Sequence, residues 1–144
     1  MNAAADPLPP ARGADPATGE VDPPALDPRV LAGLRQLDPG HDKQLMTRVL
    51  LTYRDSLARQ RGQAQLALGR GDLATVQLAV HTLKSASASI GARGLALVCG
   101  TVEAAARGGD RGECAALMAR MNAEADRVDA AVQQTLTALP GPTP

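Results

Sequence analysis

A single tyrosine and no phenylalanine or tryptophan occur among the 144 residues. That absence constrains the fold more than any motif does. A core without large rings has to be filled by Leu, Val, Ile, Met and Ala. These side chains, Ala and Leu foremost, suit helices packed closely side by side. No strand pattern competes with the helical spacing, and no internal repeat is visible. The chain reads as all-α.

Five helical segments are expected. The first is short, over residues 27–37, with Val30, Leu31 and Leu34 on one side and Asp38-Pro39-Gly40 as its stop. The second covers residues 42–61, where Leu45, Met46, Val49, Leu50, Tyr53 and Leu57 recur at helical spacing. A short continuation through Leu66 and Leu68 follows Gly62. Gly69-Arg70-Gly71-Asp72 then combines a stop with a fresh N-cap. The third segment covers residues 73–90, with Gly91 and Gly94 flanking the turn after it. The fourth, residues 95–106, presents Leu95, Val98, Val102 and Ala105 and ends at Gly108-Gly109. Asp110 with Glu113 three residues on resembles a capping box for the fifth. Its Cys114, Leu117, Met121, Ala125, Val128, Val132, Thr135 and Leu139 form one long stripe. Four substantial amphipathic helices joined by short Gly-Asp turns predict an antiparallel up-down four-helix bundle over residues 26–139, with the first helix as an extra N-terminal lid. Residues 1–25, rich in Pro and Ala, read as a disordered leader or linker, and 140–144 as a disordered tail.

Composition removes several function classes. Fifteen basic residues balance fifteen acidic ones, so the surplus of cations that nucleic-acid binding requires is missing. No apolar run reaches the roughly 18 residues of a membrane span. The amino terminus lacks the basic start and apolar centre of a signal peptide. Cys99 and Cys114 lie on apolar stripes without metal-ligand spacing, and read as small buried hydrophobes. The expectation is a cytoplasmic, monomeric module without membrane insertion, bound metal or nucleic-acid partner.

The chemistry concentrates on the third segment. At about 100° per residue, Leu73, Val76, Val80, Leu83, Ser87 and Ile90 share the buried side. His81 projects roughly 130° away from the middle of that stripe. Ala74, Gln77, Leu78, Lys84, Ser85 and Ala88 surround its direction. A solvent-facing imidazole on a rigid helix, ringed by small and semi-apolar neighbours, has the form of a docking surface. Position alone does not separate such a histidine from a bystander that titrates near neutrality without consequence.

The string His81-Thr82-Leu83-Lys84-Ser85-Ala86-Ser87-Ala88-Ser89-Ile90-Gly91-Ala92 closely resembles the signature of the histidine-containing phosphotransfer (HPt) family. The His, the Leu and Lys two and three residues on, and the apolar-Gly-Ala ending are kept. Gly71-Asp72, Leu97-Val98-Cys99 with Glu103, and Arg107-Gly108-Gly109-Asp110 resemble further family landmarks, so that the likeness spans residues 27–138. At Ser85 the family often has glycine. The resemblance implies a relay of two-component signalling. His81 would accept a phosphoryl group from a receiver-domain aspartyl phosphate and pass it to another receiver, and Lys84 would stabilise the phosphoryl charge. Gln77, Leu78, Ser85 and Ala88 would meet the receiver, with a share from the second helix, and Gly91 would serve close packing in the turn. The implied cofactor set is empty, with Mg²⁺ on the partner receiver only. No GxxxxGK[ST] string or Gly-rich ATP lid occurs, so the implied protein is a phosphocarrier without kinase activity of its own.

Two other readings fit parts of the same pattern. A helical adaptor that binds a signalling partner through the same face would share the fold but have no need of His81. A hydrolase using His81 as general base lacks any Ser, Cys or carboxylate placed to complete a triad, and an exposed helix face does not exclude water. His41 receives no role.

Overall fold

The structure is a computed structural model and describes residues 23–140. The expected leader and tail lie outside it except for Pro23–Ala25 and Pro140. The element boundaries follow from aspartate caps and left-handed glycines. Helix α1 (Pro28–Gln36) starts where the Asp27 carboxylate accepts from the Arg29 amide at 2.9 Å, with proline in the first turn. Helix α3 (Leu73–Ser89) starts at Asp72, which accepts from the Thr75 amide at 3.1 Å. Helix α5 (Arg111–Ala138) starts at Asp110, which accepts from the Glu113 amide at 2.9 Å. Only that half of the expected capping box forms, because the Asp110 amide is already donated to the Ala105 carbonyl.

Helix α2 (Leu45–Gly69) differs from the sequence reading at both ends. Its start is delayed because the Asp38 carboxylate accepts from the Lys43 and Leu45 amides and holds residues 38–44 as a loop. Its end is not interrupted at Gly62, which lies in open space on the helix surface. A single exposed glycine costs about 1 kcal/mol relative to alanine. The burial of Leu57, Ala64 and Ala67 on either side outweighs that cost. Helix α4 (Arg93–Arg107) begins earlier than expected, so Gly94 belongs to its first turn and not to the preceding loop. The turn itself is made by Gly91 at φ +83°, where a Cβ would come within 3.0 Å of Asp27 and Val30. Glycine there lets the N-terminal segment lie flat on the turn, and the Asp27 amide donates to the Gly91 carbonyl at 2.9 Å.

The four long helices form a closed ring in which α3 packs between α2 and α4, α4 on α5, and α5 back on α2. The short α1 leans on α2. Among the described residues all regular structure is helical. The core contains Met46, Leu50, Leu57, Val76, Val80, Leu83, Leu95, Val102, Met118, Met121, Val128 and Val132, all essentially without solvent contact. The one aromatic ring, Tyr53, is buried against it, and its hydroxyl hydrogen-bonds the buried Ser87 hydroxyl at 2.9 Å. Burial pushes the Tyr53 phenol up to about 12. The α2–α5 seam is stitched by Arg54–Asp129 and Arg61–Asp126 ion pairs, each at 2.9 Å. Among the described residues no helix is long and apolar enough to cross a membrane.

Candidate functional site

Leu83, with no exposed surface, and Val76 and Val80 anchor one side of α3 in the core. That anchoring sends His81 outward: its side chain is 57 % exposed. The imidazole is not free to rotate, because its Nδ1 lies 2.8 Å from Oε2 of Glu103 on α4. Glu103 is itself buried, and its other oxygen, Oε1, accepts from Nζ of Lys84 at 2.6 Å. A second cation, Arg107, approaches Oε2 at 3.5 Å from one turn further along α4.

The electrostatics of this cluster determine the state of the imidazole. The Lys84 ammonium, and after it the His81 ring, hold the Glu103 carboxyl below the usual carboxylate range, against a burial that would raise it. An ionised carboxylate can only accept, so Nδ1 must donate. In the neutral ring the lone pair then belongs to Nε2, on the edge turned from Glu103. Nε2 makes no hydrogen bond among the described residues. The arrangement is a fixed imidazole with one nitrogen tied to a buried anion and the other left as a nucleophile.

Sequence reasoning placed His81 and Lys84 on one face, and the structure brings them together through Glu103. It had noted Glu103 only as a landmark, and Arg107 likewise. A signal for Glu103 was present: it follows Val102 and lies one turn after Cys99, so a carboxylate interrupts an otherwise apolar stripe. Lys84 was expected to reach for a ligand; here its ammonium is already engaged. Of the expected docking residues, Leu78, Ser85 and Ala88 are exposed and Gln77 is half-buried. Leu78, 70 % exposed, does not face α4 at all. It lines a groove of about 420 Å³ shared with Gln60, Gln63 and Leu66 of α2 and with Arg70, which caps that helix. Leu66 is exposed as well, and the sequence reading had given it no place in a site. His41 sits in the α1–α2 loop at φ 58°, apart from this cluster.

The two cysteines are unpaired and buried, and burial pushes the Cys99 thiol up to about 12 and raises that of Cys114. Neither is a thiolate at neutral pH. Among the described residues no three His, Cys, Asp or Glu side chains gather as a metal site would require.

The described residues thus form a helical bundle that holds one outward imidazole against a buried carboxylate. The Hpt domain model matches residues 48–131, more than half of the chain, and the chain belongs to that family. It is a phosphotransfer protein of two-component phosphorelays. The crystal structure of histidine-containing phosphotransfer protein B from Pseudomonas aeruginosa PAO1 is similar with a TM-score of 0.68 and 28 % identity, over 83 % of this chain and 100 % of that one. A rice protein assigned as a histidine-containing phosphotransfer protein shares the fold with a TM-score of 0.70 at 20 % identity, over 84 % of this chain and 88 % of its own. Among curated proteins none matches the chain.

Proposed function

We propose that His81 is the phosphoacceptor, taking a phosphoryl group from the aspartyl phosphate of one receiver domain and passing it to the aspartate of another. The observation that carries this reading is the exposed imidazole whose Nδ1 is held by the buried, ionised Glu103. Nε2 attacks phosphorus, the N–P bond forms as the bond to the aspartyl oxygen breaks, and the aspartate leaves as a carboxylate. The ring keeps its Nδ1 proton and becomes cationic, and the Glu103 carboxylate beside it compensates that charge. Transfer onward is the reverse. Such transfer passes through a loose, in-line transition state in which positioning and charge neutralisation do most of the catalysis. A ring fixed on a rigid helix supplies the positioning. Lys84 contributes positive charge beside the acceptor while it orients Glu103.

The receiver is proposed to bring the Mg²⁺ and the acidic pocket, so this chain needs no cofactor and no nucleotide. Docking is assigned to the outer surface of α3, through Gln77, Leu78, Ser85 and Ala88, extended over the groove to Leu66 and Gln63 of α2. A small interface that forms and separates quickly suits a relay. The chain is proposed to act as a monomer in the cytoplasm, in keeping with its two unpaired cysteines.

Incubation with phosphorylated receivers tests the assignment. The parent chain should acquire an acid-labile, base-stable label, and His81→Gln should acquire none. An unlabelled parent, or a His81→Gln chain that labels equally, leaves a helical adaptor in place of a relay.

A further inference from the structure

The two cations beside Glu103 are not held alike. Lys84 donates to Oε1 at 2.6 Å and its side chain is 37 % exposed. Arg107 approaches Oε2 at 3.5 Å and is 61 % exposed. The ammonium is therefore committed to the carboxylate, while the guanidinium rests beside it at ion-pair distance on a mostly exposed side chain. The carboxylate oxygen near Arg107 is the one that accepts from His81 Nδ1, so the guanidinium and the imidazole share one oxygen. Its place in the last turn of α4, where exposed carbonyls favour a cation, keeps it near.

We infer that Arg107, and not Lys84, is the residue that grips the phosphoryl group once it is on His81. This deepens the assignment of His81 as phosphoacceptor and rests on it. A phosphoryl group on Nε2 brings up to two negative charges close to an already ionised Glu103. The long, loosely held Arg107 side chain answers that charge with a short swing, since a guanidinium presents five N–H donors in a planar fork and can contact a carboxylate and a phosphoryl oxygen at once. Lys84 keeps two further N–H groups, but its 2.6 Å bond to Oε1, the carboxylate oxygen that does not meet His81, holds the ammonium there, and its side chain is less exposed than that of Arg107. Lys84 is thus a positioning residue acting through Glu103, and Arg107 a phosphoryl-binding one.

The second ionisation of the phosphoryl group separates the two roles, because a cation touching its oxygens favours the dianion and lowers that pKa. The full chain is phosphorylated with phosphoramidate, from which Nε2 displaces ammonia, and the ³¹P chemical shift is followed against pH. Arg107→Gln should raise the phosphoryl pKa by roughly half a unit, the scale of an exposed ion pair. Arg107→Lys should restore most of the parent value, and Lys84→Gln should change it less than Arg107→Gln. Backbone NMR spectra of each variant report that the bundle is intact. A larger rise in Lys84→Gln than in Arg107→Gln, or no rise in Arg107→Gln, overturns the inference while leaving His81 as acceptor. Absence of a phosphohistidine signal in the parent chain, with receivers as well as phosphoramidate, would remove the acceptor assignment itself.

Discussion

The two flanks of α3 are built from different materials although they share one helix. On the α4 side, Lys84 and His81 meet Glu103 and Arg107, so four ionisable groups converge within hydrogen-bond or ion-pair reach. On the α2 side, the surface beside His81 is Leu78, Thr82 and the facing Leu66 and Gln63, a groove whose charged residues, Arg70 and Asp72, belong to the turn at its end. The difference teaches how one short helix serves two tasks. On the proposed function, charge is gathered where the carried group would be stabilised, and a less charged surface is left where a receiver would settle and depart. Separating the tasks lets either be altered without the other.

The largest effect is expected where both flanks lose their support. Leu83 has no exposed surface and fixes the rotation of α3. Leu83→Asp would bury an unpaired charge, a penalty of several kcal/mol that a bundle of this size cannot absorb. Circular dichroism should show loss of helicity; a folded variant would mean that α3 is turned the other way.

Next in size, the α2 flank should respond to changes that the α4 flank ignores. Leu78→Asp, or enlargement of the exposed Ser85 to Leu, should slow receiver-dependent labelling by about tenfold or more, the weight of one good interface residue. Helicity and the lifetime of phosphohistidine in the absence of a receiver should stay at parent values. Equal rates in stopped-flow transfer assays would move the docking surface off this flank. A shortened lifetime would show that the flanks are not independent.

The smallest effect concerns pH. Glu103 has its carboxyl held down in the folded chain, first by Lys84, from an ordinary value of 4.5. A depressed folded-state value stabilises the fold above the unfolded value and withdraws that support as pH falls through the folded one. Thermal midpoints should therefore fall on acidification below about pH 4.5. In Glu103→Gln the fall should be shallower but still present, since Asp27, Asp38 and Asp72 are also held down by their hydrogen bonds. Leu78→Ala, on the α2 flank, changes no ionisable group and should reproduce the parent slope. A Glu103→Gln slope as steep as the parent's would mean that the cluster contributes nothing to the acid limb.

Much of this was legible without coordinates. Helix number, the aspartate caps, the buried stripe of α3 and the outward direction of His81 all follow from spacing along one segment, because the helical period and the capping bonds are local properties. What was misread was also local in its cause. Gly62 and Gly94 were given their intrinsic preference for turns, and burial of the neighbouring side chains in α2 and α4 overrode it.

The amino-acid sequence by itself determined that a histidine stands on the outer side of a helix whose other side is core. Only the tertiary structure decided what that histidine touches. Glu103 lies 22 residues away, and which helix flanks α3, at what rotation, depends on how four apolar stripes pack at once. The tie at Nδ1, the capture of Lys84 and the loose approach of Arg107 are consequences of that packing, which no single segment specifies.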